Sequence, residues 1–166
     1  MDADELRKVQ SPLKERYRGD PEAAVITLRA EGSLASSEVA CSVNTGREIV
    51  KAGLHPATGG DGSLACSGDM LLEALVACAG VTLRAVATAR RIPVEGTVRA
   101  EGDLDFRGTL GVDRDVPVGF REIRLLFDLD SSADAEQLDE LISTTERCCV
   151  VFQSLAQGPK LSVTRT

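Results

Sequence analysis

The stretch "LLEALVACAGVTLRAVATARR", from Leu71 to Arg91, constrains the fold more than any other part of the chain. Apolar residues recur at helical spacing and no proline intervenes before Pro93, which predicts one long helix from about Asp69 to Arg91. Ser67 or Asp69 is placed to cap its amino end, and Asp69 lies in the favourable field of the first turn. Arg90 and Arg91 stand at the other end, where cations suit the helix dipole. Cys78 falls on the apolar stripe, with Leu71, Ala74, Leu75 and Val81 at helical spacing around it.

Around this helix the pattern alternates between short strands and turns. Residues 3–17 have helical character interrupted by Pro12, which predicts two short pieces or a mobile arm. Residues 23–32, 37–46 and 47–54 read as three short strands. Glu31-Gly32-Ser33 and Asn44-Thr45-Gly46 punctuate them, which suggests an antiparallel meander. A glycine-rich loop covers 55–69. Residues 94–106 and 120–130 alternate as strands around a loop at 107–119. Residues 133–148 form a helical stripe through Leu138, Leu141 and Ile142, a turn or short helix follows from Cys149 to Leu155, and 160–166 reads as a closing strand. The order is that of an α+β fold with strands in antiparallel runs. It divides into an N-terminal helical arm, 1–19, and one domain, 20–166.

Composition narrows the function classes. Hydrophobic residues are 43% of the chain but aromatics only 3%, with no Trp, so the core is aliphatic and no aromatic platform for stacked bases is at hand. A net charge of -7 repels phosphate backbones and argues against nucleic acid. The N-terminus "MDADELRKVQ" has no apolar signal region. The apolar run "MLLEALVACAGVTL" is short for a membrane span and carries Glu73. A cytoplasmic protein with no membrane partner is expected. Five cysteines, an odd count, fit reduced thiols.

Several chemistries can be set aside on residue types. There is no CxxC and a single histidine, His55, so no metal site is expected. The loop "TGGDG" lacks the lysine of a phosphate-binding loop and reads as a connection needing positive φ. No GxSxG elbow is present. Thiols remain. Cys78 is either a small buried apolar residue or one half of a reactive pair. Cys148 and Cys149 follow a helix whose apolar stripe must face the same core, so one of them can approach Cys78. A disulfide would need Cα atoms about 4.4–6.8 Å apart. Cys41, in a strand, reads as core, and Cys66, before the helix, is given no catalytic role.

Two separated motifs give the chain a family resemblance. "GDMLLEALVACAGVTL" resembles the helix motif of the OsmC/Ohr family (osmotically inducible protein C and organic hydroperoxide resistance protein), and "TERCCVVFQSL" resembles its second cysteine motif. "AGLHPATGGDG" is similar to the loop leading into the family's helix, and the likeness extends over roughly residues 20–166. It implies an OsmC-like fold in which antiparallel sheets wrap central helices in an intertwined homodimer. It also implies thiol-dependent reduction of organic hydroperoxides with no cofactor. Cys78 matches the attacking position and Cys149 the resolving one, with Cys148 an extra thiol beside it. The reductant implied is a dithiol, a lipoylated protein in some members. An Arg held by an acidic residue near the helix start keeps the attacking thiol ionised in the family. The stretch here is "SGDM", with Gly68 where the acid usually stands. Asp69 is the nearest carboxylate, and Arg18 and Arg16 are the candidate cations. The alternative is a family member that binds an apolar ligand or senses redox state with little turnover, using the cleft at the dimer interface.

Overall fold

A computed structural model describes residues 3–34, 41–43 and 52–165. In chain order the elements are helix α1 (Ala3–Gly19), strands β1 (Val25–Leu34) and β2 (Cys41–Val43), and helix α2 (Ser67–Arg90). Strand β3 (Glu95–Asp105), the single turn α3 (Phe106–Thr109), strand β4 (Glu122–Asp130) and helices α4 (Ala135–Cys148) and α5 (Val150–Gln157) follow. The fold is α+β. Its strands make one antiparallel sheet in the order β2-β1-β3-β4. The long pairings are β1 with β3, from Val25↔Asp105 to Ser33↔Thr97, and β3 with β4, from Glu95↔Asp130 to Asp103↔Glu122.

Alternation along β3 and β4 decides which face meets α2. Val98 and Ala100 are fully buried and register with Phe127 and Leu125 of β4. Across from them α2 buries Leu72, Leu75, Val76, Ala79, Leu83 and Ala87, a stripe three and four residues apart. Leu141 of α4 closes the same cluster. The core is aliphatic, as the composition implies, and each wholly buried leucine contributes roughly 2–3 kcal/mol. By length and composition α2 could cross a bilayer; here its inward row lies on the sheet. Gly102 of β3 is required by close approach. A Cβ there would lie 2.5 Å from the Phe120 ring, which rests directly on the strand.

The opposite face of the sheet is ionic. Arg124 Nη1 lies 2.6 Å from Asp103 Oδ2, with Glu101 at 3.5 Å and Glu122 at 3.4 Å from the same guanidinium. Thr27 also donates to Asp103, at 2.6 Å. Bonds from Arg124 and Thr27 hold the Asp103 carboxyl down at about 2.

The structure differs from the sequence expectations at several points. Helix α1 runs unbroken through Pro12. An interior proline costs about 3 kcal/mol in an isolated helix, but this helix is docked. Tyr17 is buried beside Ala24, Phe106 and Leu110, its hydroxyl donates to the Ala57 carbonyl at 2.7 Å, and Gln10 reaches the Thr58 carbonyl at 3.3 Å. Cys66, not Ser67 or Asp69, is the extended residue before α2, and its carbonyl accepts from Met70 N–H at 3.1 Å. Arg91, at φ 59, ends that helix. Of the expected strands at 37–46 and 47–54, only Cys41–Val43, Ala52 and the two residues after it fall within the described residues. Ala52 makes an isolated parallel bridge to Ala65. The expected loop at 107–119 begins inside α3, which Asp105 caps by accepting from Arg107 N–H at 3.1 Å. Residues 160–165 are not a strand. Leu161 and Val163 are 89% and 100% exposed, and among the described residues no strand pairs with them.

Candidate active site

A capping box starts α4: Asp134 accepts from Gln137 N–H at 2.8 Å and Gln137 returns the bond to Asp134 N–H at 3.2 Å. The helix stops at Cys148 because Cys149 turns extended, at φ -74 and ψ 110. Cys149 nevertheless serves both neighbours. Its N–H donates to the Thr145 carbonyl at 2.8 Å, closing α4, and its carbonyl accepts from Gln153 N–H at 2.9 Å, opening α5. Its sulfur accepts from Phe152 N–H at 3.5 Å, so the thiol itself caps α5. At this change from helical to extended backbone the two adjacent cysteines differ in burial: Cys149 is wholly buried and Cys148 exposed.

Cys78 meets this joint from α2. Its half-buried thiol packs in the same cluster as Cys149, Val151 and Phe152. The N–H groups of Val150 and Val151, the Cys149 thiol and the hydroxyl of Thr82, one helical turn on, are the groups that act on it. Both cysteines are free thiols. Their environments push them apart. Burial pushes Cys78 up, but the Val151 N–H, the Cys149 thiol, the Val150 N–H and Thr82 outweigh it and bring Cys78 below the ordinary thiol value. Cys149 goes the other way, up to about 11, through burial and the neighbouring Cys78 sulfur, against the opposing Phe152 N–H. In this pair Cys78 is the sulfur suited to carry negative charge and Cys149 the one suited to keep its proton.

The other sequence candidates lie elsewhere. Arg18 pairs with Glu15 on the exposed side of α1, and Arg16 stands on the same helix, where it acts on the Tyr17 phenol. Among the described residues no guanidinium acts on Cys78. Asp69 is half-buried in the first turn of α2. Burial raises its carboxyl and nearby His55 draws it back. His55 accepts from Ala57 N–H at 3.0 Å and stacks on Phe106, with centroids 5.0 Å apart. The structure thus brings Cys78 and Cys149 together and leaves Arg16, Arg18 and Asp69 outside the contacts that act on Cys78. Cys66 is half-buried against the main core, and Cys41 lies in β2.

Two features of the site go beyond the sequence reading. One is the donor set on Cys78: Thr82, at the i+4 position, and the amino end of α5. The i+4 spacing is visible in "CAGVT", but the α5 contact needs the folded chain. The other is an apolar groove of about 500 Å³ between α2, β4 and α5, lined by Leu71, Leu75, Phe120, Leu125, Phe152 and Leu155. Leu75 is one turn before Cys78, and Phe152 is part of the α5 turn that holds the thiol. Arg121 and Glu122 are the charged members of the lining. The arrangement can hold a thiolate beside a protonated thiol, next to a cleft that takes an apolar body.

Comparison with known proteins agrees with this architecture. No curated protein sequence matches the chain. A solved structure of an OsmC-like hydroperoxide resistance protein from Jannaschia sp. CCS1 is similar, with a TM-score of 0.54 at 18% identity, over 86% of this chain and 97% of that one. That likeness concerns the fold. The family model for OsmC-like proteins matches residues 60–164, a span that runs from the glycine-rich loop through both cysteine segments. On that match this chain belongs to the OsmC-like family.

Proposed function

We propose that the protein is a thiol-dependent peroxidase for organic hydroperoxides, with Cys78 as the attacking sulfur and Cys149 as the resolving one. The observation that carries the reading is the contact between two free thiols whose environments split them, one downward and one upward. In the first step the Cys78 thiolate attacks the distal peroxide oxygen. The O–O bond breaks, the alkoxide takes a proton and leaves as alcohol, and Cys78 is oxidised to a sulfenic acid. In the second step the Cys149 sulfur attacks the Cys78 sulfur. The sulfenic oxygen leaves with the Cys149 proton as water, and a disulfide remains. An external dithiol then returns both sulfurs to thiols by two exchanges and becomes a disulfide itself. The apolar groove lined by Leu75, one turn before Cys78, and by Phe152, three residues after Cys149, suits a hydroperoxide with an apolar body.

The same reading includes a homodimer, a dithiol reductant such as a lipoylated protein, and a cytoplasmic setting. Dimerisation is supported by apolar residues left open around the site: Leu71 and Val81 on α2, Val150 and Leu155 on α5, and Leu161 and Val163 beyond it. A second reading, an apolar-ligand binder or redox sensor with little turnover, is favoured by the pairing of Arg18 with Glu15. Consumption of cumene hydroperoxide in the presence of a lipoyl dithiol separates the two. Turnover lost in Cys78→Ser supports the enzyme; a single equivalent consumed by the wild type supports the sensor.

A further inference from the structure

In the oxidised form proposed above, Cys78 and Cys149 share a disulfide, and a dithiol must open it. The two sulfurs are unequal targets. Attack at Cys149 would expel Cys78, which is held below the ordinary thiol value and is the better leaving thiol. But Cys149 is 0% exposed, so an external thiol has no path to its sulfur. Attack at the half-buried Cys78 would expel Cys149, raised to about 11 and a poor leaving thiol. The open route is chemically slow, and the fast route is closed to solvent. The chain supplies a third thiol at this point. Cys148 is exposed and is joined to Cys149 by one peptide bond, where the backbone passes from the end of α4 into extended form. It lines a concave surface of about 460 Å³ with Arg147, Val150, Gln153, Ser154 and Pro159. That surface shares no lining residue with the apolar groove.

We propose that Cys148 is a relay thiol, which carries the disulfide from the buried pair to a surface where the external dithiol meets it. The inference rests on the reading of Cys78 and Cys149 as a redox pair, and deepens it by assigning the point at which the reductant enters. Cys148 gives its proton to solvent and attacks the Cys149 sulfur. The Cys78–Cys149 bond breaks, Cys78 leaves with the electron pair as thiolate, and a Cys148–Cys149 bond forms. One sulfur of the dithiol then attacks Cys148, and Cys149 leaves and takes up a proton. The second dithiol sulfur attacks the first, Cys148 leaves as a thiol, and the dithiol departs as its own disulfide. Neighbouring Cα atoms lie about 3.8 Å apart across a trans peptide, short of the separation of about 4.4–6.8 Å in ordinary disulfides. The Cys148–Cys149 bond is therefore strained and readily reduced, as a transient carrier requires, and the resting oxidised form is Cys78–Cys149.

The test reads the reduction step apart from the peroxide step. The full-length chain is oxidised with diamide, which takes up the two thiol hydrogens, and a peptide map confirms the Cys78–Cys149 link. Excess oxidant is removed, dihydrolipoamide is added, and the return of thiols is followed by acid quenching and alkylation. An attack from within the chain outpaces one from solution, so Cys148→Ser should slow the reduction by about tenfold or more. Cys148→Ala carries the same expectation, and Tm is recorded for each variant to confirm folding. In a second arm the oxidised wild type is mixed with 2-mercaptoethanol, a monothiol that cannot complete the second exchange. The mixed disulfide should be found on Cys148. Equal reduction rates in the wild type and both Cys148 variants overturn the proposal, and so does a mixed disulfide on Cys78. Failure of diamide to link Cys78 to Cys149 overturns the relay and the redox pair together. A wild type that forms the link with diamide, is reduced through Cys148 and yet does not consume hydroperoxide would uphold the relay and count against the peroxidase reading alone.

Discussion

Gly102→Ala is the substitution whose consequence is easiest to work out from distances. The added Cβ would lie 2.5 Å from Phe120 Cε1, 2.6 Å from Cδ1 and 3.3 Å from Leu72 Cδ2. Ordinary carbon contacts begin at about 3.5 Å, so the Phe120 ring must withdraw by roughly 1 Å. Leu72 is fully buried and cannot yield as easily. The ring therefore moves away from the strand, into the groove it helps to line. Such overpacking costs about 1–3 kcal/mol, against which alanine recovers about 0.4–1 kcal/mol by restricting the unfolded chain. The net loss is about 1–2 kcal/mol, or roughly 2–8 °C in Tm for a chain of this size. The assay compares kcat/KM for cumene hydroperoxide and hydrogen peroxide in wild type and variant, with Tm recorded on both. The bulky peroxide should lose several-fold while hydrogen peroxide, which needs no groove, holds its rate. Equal losses for the two peroxides, or no loss for cumene hydroperoxide beside an unchanged Tm, would show that the groove does not receive the substrate.

Three further outcomes are expected. Cys149→Ser should stop the reaction after about one equivalent, with a dimedone-reactive sulfenic acid at Cys78; in the wild type, mild oxidation should yield a peptide linking Cys78 to Cys149, and a link through Cys148 would be the contrary result. The paired thiols also give a pH signature of stability. Cys149 has its folded value raised to about 11, so it contributes stability below its unfolded value near about 8.5. That contribution is lost as pH rises toward about 11, because the unfolded thiol releases its proton first. Cys78, shifted down, contributes in the opposite sense, with stability present above its unfolded value and lost as pH falls through the folded one. Denaturation midpoints between pH 8 and 11 should therefore fall less steeply in Cys149→Ser than in the wild type, and identical slopes would contradict the assigned shift. Finally, Tyr17→Phe removes the bond to the Ala57 carbonyl and leaves that acceptor half-buried; a loss of about 1 kcal/mol is expected by urea denaturation.

Much of the architecture could be read from the chain because its strongest signals are local. The helix around Cys78 has a long apolar stripe, a proline beyond its end and cations in its last turn, and it was found within two residues at its start and one at its end. Strands β3 and β4 alternate over nine residues or more and lie where the alternation placed them. The expected closing strand is absent over 160–165 for the opposite reason: alternation in a short segment states only a capacity to pair, and among the described residues no strand lies beside it. The resemblance offers Arg16 and Arg18 as cations for Cys78 but not the partner Arg18 finds within this chain. In one continuous helix Glu15 and Arg18 are three residues apart on one face and meet each other. The choice between the two adjacent cysteines is open in the sequence, since it depends on where α4 ends and how α5 follows it. The donors on Cys78 were harder still, because the N–H groups of Val150 and Val151 become a site only when α5 docks on α2.

The ionic lattice of Thr27, Asp103, Glu101, Glu122 and Arg124 gives the molecule a wet side and a dry side. A protein partner laid across that β surface would have to dehydrate several charges already satisfied by one another, for little return. With Asp103 near about 2, mild acid does not loosen it. The surface open to a partner is thereby concentrated on the helical side, where Cys78 and Cys149 lie together.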